Sequence, residues 1–240
     1  RAHYLYASHD DHSGIPDFDS AELTFSYRQL FRNTRFSGHD RLADANQLAL
    51  GLTSRLIDPK TGLERVSLSV GQIFNFTDQR IRLKEGDAAL TEDGSALALA
   101  LDMTASERWS IHSNLLFDAY DKELDAANIR ISYQPADDAV FNVGYTLREP
   151  PESLATRPVT EQFNTSAYIP LDEHWRVFGA LRYSLEIDSS VEDMIGVEYD
   201  GCCWRARFLY VSYLDALRDT NVFIPEPELR RDRAFQFQFV

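Results

Sequence analysis

The chain lacks any apolar stretch long enough to cross a bilayer as a helix. Its longest unbroken apolar run, Ala96 to Leu101, is far short of the ~20 residues that such a helix needs. The N-terminus, Arg1-Ala2-His3-Tyr4, also lacks a charged segment followed by an apolar core and a small-residue cleavage site. Any export signal is therefore expected outside this stretch, as for a mature protein or a fragment. Basic charge is scarce, with 24 Lys and Arg against 38 Asp and Glu and a formal net charge of −14 over 240 residues. Nucleic-acid binders concentrate cations to displace phosphate counterions, so nucleic acid is not an expected partner. The acidity suits polar loops and a polar barrel interior as well as it suits a soluble surface, and does not decide the class. Also missing are the Gly-x-Ser-x-Gly elbow, His-Glu-x-x-His and a glycine-rich phosphate loop, the spacings that would mark a hydrolase, a zinc protease or a nucleotide enzyme. No enzymatic activity, cofactor or metal is expected.

What is present is alternation with a period of two, which sends successive side chains to opposite faces of a sheet. In Trp175 to Ile187 the odd positions Trp175, Val177, Leu181, Tyr183 and Leu185 are apolar, and the even ones include Arg176, Arg182, Ser184 and Glu186. Arg65 to Phe76, Ala127 to Gln134 and Phe141 to Arg148 divide in the same way. About twelve such runs occur, near 3 to 7, 46 to 57, 63 to 76, 95 to 103, 109 to 119, 126 to 134, 140 to 149, 160 to 171, 175 to 187, 191 to 200, 203 to 213 and 232 to 240. Many reach the ~9 to 11 residues of a tilted membrane strand, whereas strands of globular proteins cluster near ~5 to 6.

The connections alternate between tight and long. Tight ones fall at Asp58 to Gly62, Thr104 to Arg108, Pro135 to Ala139, Asp172 to His174 and Asp200-Gly201; long ones at 8 to 45, 77 to 94, 120 to 125, 150 to 159 and 214 to 231, with a shorter exception at Asp188 to Ser190. Short turns at one end and long loops at the other fit an outer-membrane barrel, with turns periplasmic and loops outside. The expected fold is an all-β antiparallel transmembrane β-barrel, represented by about twelve strands of a larger barrel. Trp109, Trp175, Trp204, Tyr168, Tyr199 and Tyr213 stand near strand ends and would form interfacial girdles. The rival reading is a soluble β-sandwich or solenoid, which also alternates apolar and polar, but sandwich strands are shorter and their turn signals come every ~8 to 12 residues.

Few residues suggest chemistry. Cys202 and Cys203 are adjacent; a bond between them would be strained, because neighbouring Cα atoms lie ~3.8 Å apart and strand neighbours point oppositely. Each either pairs with a cysteine outside this stretch or stays reduced as a small buried residue. Arg176, Arg182, Arg205 and Arg207, opposed by Glu186, Glu192 and Glu198, are expected to face the lumen as a charged ladder across neighbouring strands. His9-Asp10-Asp11-His12 reads as a polar loop rather than a metal site, and His39, Asp40, Arg41 and Asp44 as a salt-bridged loop. Ser110 and His112 share a strand face; a polar pair is the expectation over a hydrolase triad.

Several segments resemble the LptD family of lipopolysaccharide-assembly outer-membrane proteins. They are Phe25 to Arg41, continuing Asp44 to Arg55, then Gly71-Gln72-Ile73-Phe74-Asn75-Phe76, and Tyr199-Asp200-Gly201-Cys202-Cys203-Trp204. The resemblance covers nearly the whole chain as the C-terminal portion of the family's barrel, over 1–240, without its N-terminal periplasmic jellyroll and first strands. It implies delivery of lipopolysaccharide into the outer leaflet of the Gram-negative cell outer membrane, with outer-membrane lipid as surroundings. The implied partners are the plug lipoprotein LptE and the periplasmic bridge protein LptA. It further implies disulfides from Cys202 and Cys203 to cysteines outside this chain, and places Ala234 to Val240 at or beside the closing strand. A porin-like passive or substrate-specific diffusion channel is the alternative; the vicinal cysteines and the long Phe25 to Arg41 loop favour lipid assembly over it.

Overall fold

The computed structural model describes residues 1–10, 12, 15–16, 18–38, 40–83, 91, 93–149, 159–216 and 229–239. They form fourteen strands: β1 (Ala2–Ala7), β2 (Ala21–Glu22), β3 (Phe36–Ser37), β4 (Ala45–Ile57), β5 (Glu64–Asn75), β6 (Leu97–Thr104), β7 (Trp109–Phe117), β8 (Leu124–Ala136), β9 (Ala139–Arg148), β10 (Thr160–Pro170), β11 (Trp175–Ser184), β12 (Ser189–Asp200), β13 (Arg205–Ala216) and β14 (Leu229–Phe239). A 3₁₀ turn spans Tyr27–Gln29. Twelve strands make one sheet in the order β1-β4-β5-β6-β7-β8-β9-β10-β11-β12-β13-β14, and β2 pairs with β3 in a separate two-stranded sheet. The all-β antiparallel class with about twelve long strands is the one observed, and each strand of the large sheet overlaps a run of alternating residues. The chain forms two compact units: residues 1–104, 112–128 and 148–159, and residues 105–111, 129–147 and 160–240.

Registers show which side chains share a face, because residues directly opposite in an antiparallel pair point the same way. In the first unit Leu48 faces Phe74, Leu52 faces Val70, and Leu68 faces Leu101. On the other face Gln47 meets Asn75, Gly51 meets Gly71, and Thr53 meets Ser69. Exposure is inverted relative to a water-soluble sheet. Leu52 and Leu68 are 69% and 51% exposed, whereas Gln47, Ser67 and Ser69 are buried. An uncovered apolar face of this extent marks a surface made to be covered by something else, and lipid suits a strand-by-strand band of Leu, Val, Phe and Tyr.

Aromatic rows close that face at the short-turn end of the second unit. Trp175 packs edge-on against Tyr199 at 5.0 Å, Tyr199 stacks on Trp204 at 5.0 Å, and Trp204 stacks on Phe239 at 5.7 Å. Trp109 stacks on Tyr133 at 4.5 Å. Tyr168 and Tyr213 do not join this girdle. Tyr168 lies opposite Phe178 and Tyr213 opposite Glu192, so both occupy the polar face.

The tight turns are built by aspartates. Asp58 Oδ1 accepts the Lys60 amide at 2.9 Å and its Oδ2 binds Arg65 at 3.1 Å, while Gly62 takes a φ of +71° that glycine adopts without cost. Asp172 Oδ1 accepts the amides of His174 and Trp175 at 2.8 and 2.7 Å.

Candidate functional site

The polar face of β11 to β14 carries most of the predicted ladder. Arg182 sits opposite Glu192 and binds it at 3.1 Å. Nearer the short turns Arg176 is opposite Glu198, which is opposite Arg207. Arg176 nevertheless reaches past Glu198 to Asp200 Oδ2 at 3.1 Å, and Arg205 binds the same oxygen at 3.0 Å. Glu198 is fully buried, accepting from Arg207 Nε and, at 2.9 Å, from the Tyr168 hydroxyl, with Arg205 at 3.6 Å. A carboxylate this deep persists as an anion only when partners replace its water, and here two arginines and a phenol do so.

Asp200 and Tyr168 are the members that the sequence reading did not place in the ladder. Asp200 lies two residues beyond Glu198, on the same face, although Asp200-Gly201 reads as a tight turn in the sequence. Glu186 is a correction in the other direction. The register of β11 shifts between Arg182 and Tyr183, the strand ends at Ser184, and Glu186 falls in the turn that follows, with no ion pair among the described residues.

The connection from β12 to β13 holds both cysteines. Gly201 donates its amide to the Trp204 carbonyl at 2.8 Å, and the exposed Cys202 and Cys203 place their sulfurs 3.1 Å apart without a bond. The neighbouring Cys202 thiol, and to a lesser degree desolvation, push the Cys203 thiol above its ordinary value. An open hollow of about 370 Å³ lies beside this turn, lined by Cys202, Cys203, Trp204, Arg205, Arg207 and Gln238 among others.

A second construction occupies the polar face of β4 to β6. The segment between β1 and β4 folds down so that Leu30 is wholly buried with Ala49 and Ala98, flanked by Phe25, Tyr27, Phe31 and Ile73. The paired glycines make this approach possible. A Cβ on Gly71 would meet Leu30 Cδ1 at 2.5 Å, and one on Gly51 would meet Phe31 Cζ at 2.7 Å. The Tyr27 hydroxyl bonds Thr53 at 2.9 Å, and Thr53 bonds Ser69 at 2.9 Å. The segment after β5 is tied to the same structure. The Asp44 carboxylate accepts the amides of Arg80 and Ile81 at 2.8 to 3.1 Å, and Arg35 binds Gln79 and the Ile81 carbonyl. Burial lowers the pKa of Arg35, and Glu22 and Asp44 oppose that shift. This corrects the salt-bridged reading of Asp40, Arg41 and Asp44. Asp40 accepts the amides of Phe18 and Asp19 at 2.9 and 3.0 Å and is held below the usual carboxylate range by them. The hydrogen bonds of these carboxylates among the described residues go to backbone amides; His39 lies outside the described residues.

Comparison with known proteins bears on both constructions. The family model described as LptD, LPS transport system D, matches residues 1–175. The chain is 35% identical over 227 residues to the LPS-assembly protein LptD of Nitrosococcus oceani, covering 93% of this chain and 30% of that protein. It is 35% identical over 226 residues to the namesake of Nitrosomonas europaea, again covering 93% and 30%. Against that of Pseudomonas aeruginosa it is 33% identical over 270 residues, covering 100% and 29%. The chain belongs to the LptD family. It spans about 30% of the length of the curated relatives that it matches.

The region matched by the LptD model contains the whole Leu30 construction and Tyr168, and the charged residues of the ladder and the cysteine turn follow it. The likeness to the Pseudomonas relative extends over them. Among the described residues no three His, Cys, Asp or Glu side chains gather as a metal-holding group; Asp11 of the His9 to His12 stretch lies outside them. His112 Nδ1 pairs with Asp102 Oδ1 at 2.7 Å, and both side chains are half exposed.

Proposed function

We propose that this LptD-family chain is the C-terminal portion of the barrel wall of an outer-membrane translocon that inserts lipopolysaccharide into the outer leaflet. Membership of a family whose relatives are named LPS-assembly proteins carries the reading. The inverted sheet supports it: an apolar face suits lipid, and a polar face whose half-exposed arginines pair with carboxylates around a buried Glu198 suits a wet lumen through which an anionic sugar-phosphate head passes. Arg176, Arg182, Arg205, Arg207, Glu192 and Glu198 then face that lumen. No chemical step is assigned to the chain. A passive porin lacks support from the family, and it gives the docked Leu30 segment and the cysteine pair no task. The full barrel is taken to enclose the plug lipoprotein LptE and to receive lipid from LptA. Cys202 and Cys203 are taken to bond to cysteines outside this chain, for which their exposure is suited.

The test compares non-reducing with reducing electrophoresis of the full-length parent from outer membranes, for wild type and a Cys202→Ser, Cys203→Ser variant, while surface lipopolysaccharide is measured. A reduction-dependent mobility shift that the variant lacks, together with loss of surface lipopolysaccharide, is expected. An unshifted wild-type band with normal surface lipopolysaccharide in the variant would overturn the disulfide assignment. Normal surface lipopolysaccharide after depletion of the parent would overturn the function.

A further inference from the structure

The apolar face of the last strands ends in charge. Asp193 of β12 lies opposite Ser212 of β13, and Ser212 lies opposite Arg233 of β14, so the three form one row across the lipid-type face. Arg231, two residues earlier on the same face, reaches diagonally to Asp193 Oδ2 at 2.9 Å, Ser212 Oγ at 3.2 Å and the Ser190 carbonyl at 2.6 Å. Arg231 thereby neutralises Asp193, and Arg233 remains as surplus positive charge, exposed and without an ion pair among the described residues. Directly below it the same face is aromatic. Phe235 packs on Tyr210 at 5.1 Å and Phe237 on Phe208 at 4.6 Å, and Phe235 is 85% exposed.

We infer that Arg233, with Arg231 beside it, is the headgroup contact for a phosphorylated glycolipid resident in the leaflet at the long-loop end, whose acyl chains lie along Phe235, Phe237 and Phe208. This rests on the outer-membrane reading above. Arg233 stands six residues up β14 from Phe239 in the aromatic girdle, about 20 Å along the strand at ~3.4 Å per residue. At the ~35–45° tilt of such strands this is about 15 Å along the membrane normal, so in an apolar band ~25 Å tall the Arg233 backbone lies within the far half of the hydrocarbon and its guanidinium has to extend toward the opposite headgroup layer. A cation there is costly without a counter-anion, and the flexible stem lets it rise to meet one. A phosphate on a saccharide head supplies the anion, with two oxygens that the planar arginine fork can bind together, and several acyl chains match a strip three rings long.

The experiment uses the full-length protein with its plug, purified in detergent and titrated by native mass spectrometry with diphosphorylated lipid A, with dephosphorylated lipid A and with phosphatidylglycerol. Wild type is expected to bind the diphosphorylated form preferentially. Arg233→Gln is expected to lower its occupancy about tenfold, as the loss of one charge-assisted hydrogen bond does, while Arg233→Lys, which keeps the charge but not the fork, recovers only part of it. Binding of the dephosphorylated form should not change. Equal binding of diphosphorylated lipid A by Arg233→Gln and wild type would overturn the site, and equal affinity for phosphatidylglycerol would overturn the glycolipid as its occupant. Surface lipopolysaccharide after depletion of the parent is a separate measurement, so the translocon reading can stand while this site fails.

Discussion

Replacing Leu30 with alanine tests whether the segment between β1 and β4 is held on the polar face by one side chain. Leu30 is fully buried and rests where the Gly51 and Gly71 pair leaves room. Deleting such a side chain costs about 2–5 kcal/mol, as lost transfer energy plus the residual cavity. Among the described residues of the segment Phe36, in β3, is the other fully buried apolar side chain, so the loss should fall on docking around Leu30 rather than on the sheet. At 1.36 kcal/mol per tenfold, the undocked population rises about thirtyfold to several thousandfold, up to the ceiling at which the segment is free all the time. Arg28 and Arg32 flank Leu30, so trypsin reports opening directly when cleavage is slow relative to reclosure. In the full-length protein, cleavage between Phe25 and Phe36 should accelerate by at least about thirtyfold. Gly51→Ala pushes on the far ends of Phe31 and Tyr27 and should act in the same direction at a cost of about 1–3 kcal/mol. Leu52→Ala, on the exposed opposite face, should leave the rate unchanged. Cleavage of Leu30→Ala at the wild-type rate would refute docking by this anchor.

Asp44→Asn leaves at most one good acceptor where a carboxylate now holds the amides of Arg80 and Ile81; hydrogen exchange of the Ile81 amide should quicken about tenfold, consistent with weakening one charge-assisted bond. Glu198→Gln removes the charge opposed by Arg205 and Arg207, which are themselves 45% and 40% exposed. Breaking a buried pair costs about 3–5 kcal/mol, and solvent around those arginines reduces this to about 1–3 kcal/mol, read as a lower midpoint in denaturant unfolding of the full-length barrel. The Asp172 carboxyl is held below the usual range by the amides of His174 and Trp175. Its contribution is therefore complete above the unfolded carboxyl value near pH 4 and is lost as pH falls through the lower folded value. Protection of the Trp175 amide, corrected for intrinsic exchange, should persist in wild type through pH 4 and fall below it, and should be lower and independent of pH in Asp172→Asn.

The strands were legible because one physical demand repeats along them. Each must offer apolar side chains to one side and polar ones to the other, and a period of two records this in every few residues. Trp175 to Ser184 and Arg65 to Asn75 needed no knowledge of their neighbours. The limits appear where parity alone is not enough. Tyr168 and Tyr213 were placed in the girdle by type and nearness to strand ends, yet register puts them on the polar face, where the Tyr168 hydroxyl supplies a donor that buried Glu198 needs. Glu186 was lost because a register shift after Arg182 cannot be seen in an alternating string.

The docked segment shows a different limit, since its physics is not periodic at all. Phe25 to Arg41 was conspicuous as a resemblance, but nothing within it states that Leu30 is an anchor. The complementary signal lies elsewhere, in Gly51 and Gly71 on two strands otherwise rich in branched residues. Glycine inside a strand weakens it unless something must approach closely. Two glycines directly opposed on the polar face therefore mark a landing site, and only register shows that they are opposed. The same reasoning explains Asp44, Asp40 and Asp172. Each accepts backbone amides, a use that charge counting cannot distinguish from a salt bridge. In this chain cross-strand ion pairs are a matter of sheet geometry, whereas the loops are fixed by carboxylates that cap backbone and by one leucine seated over two glycines.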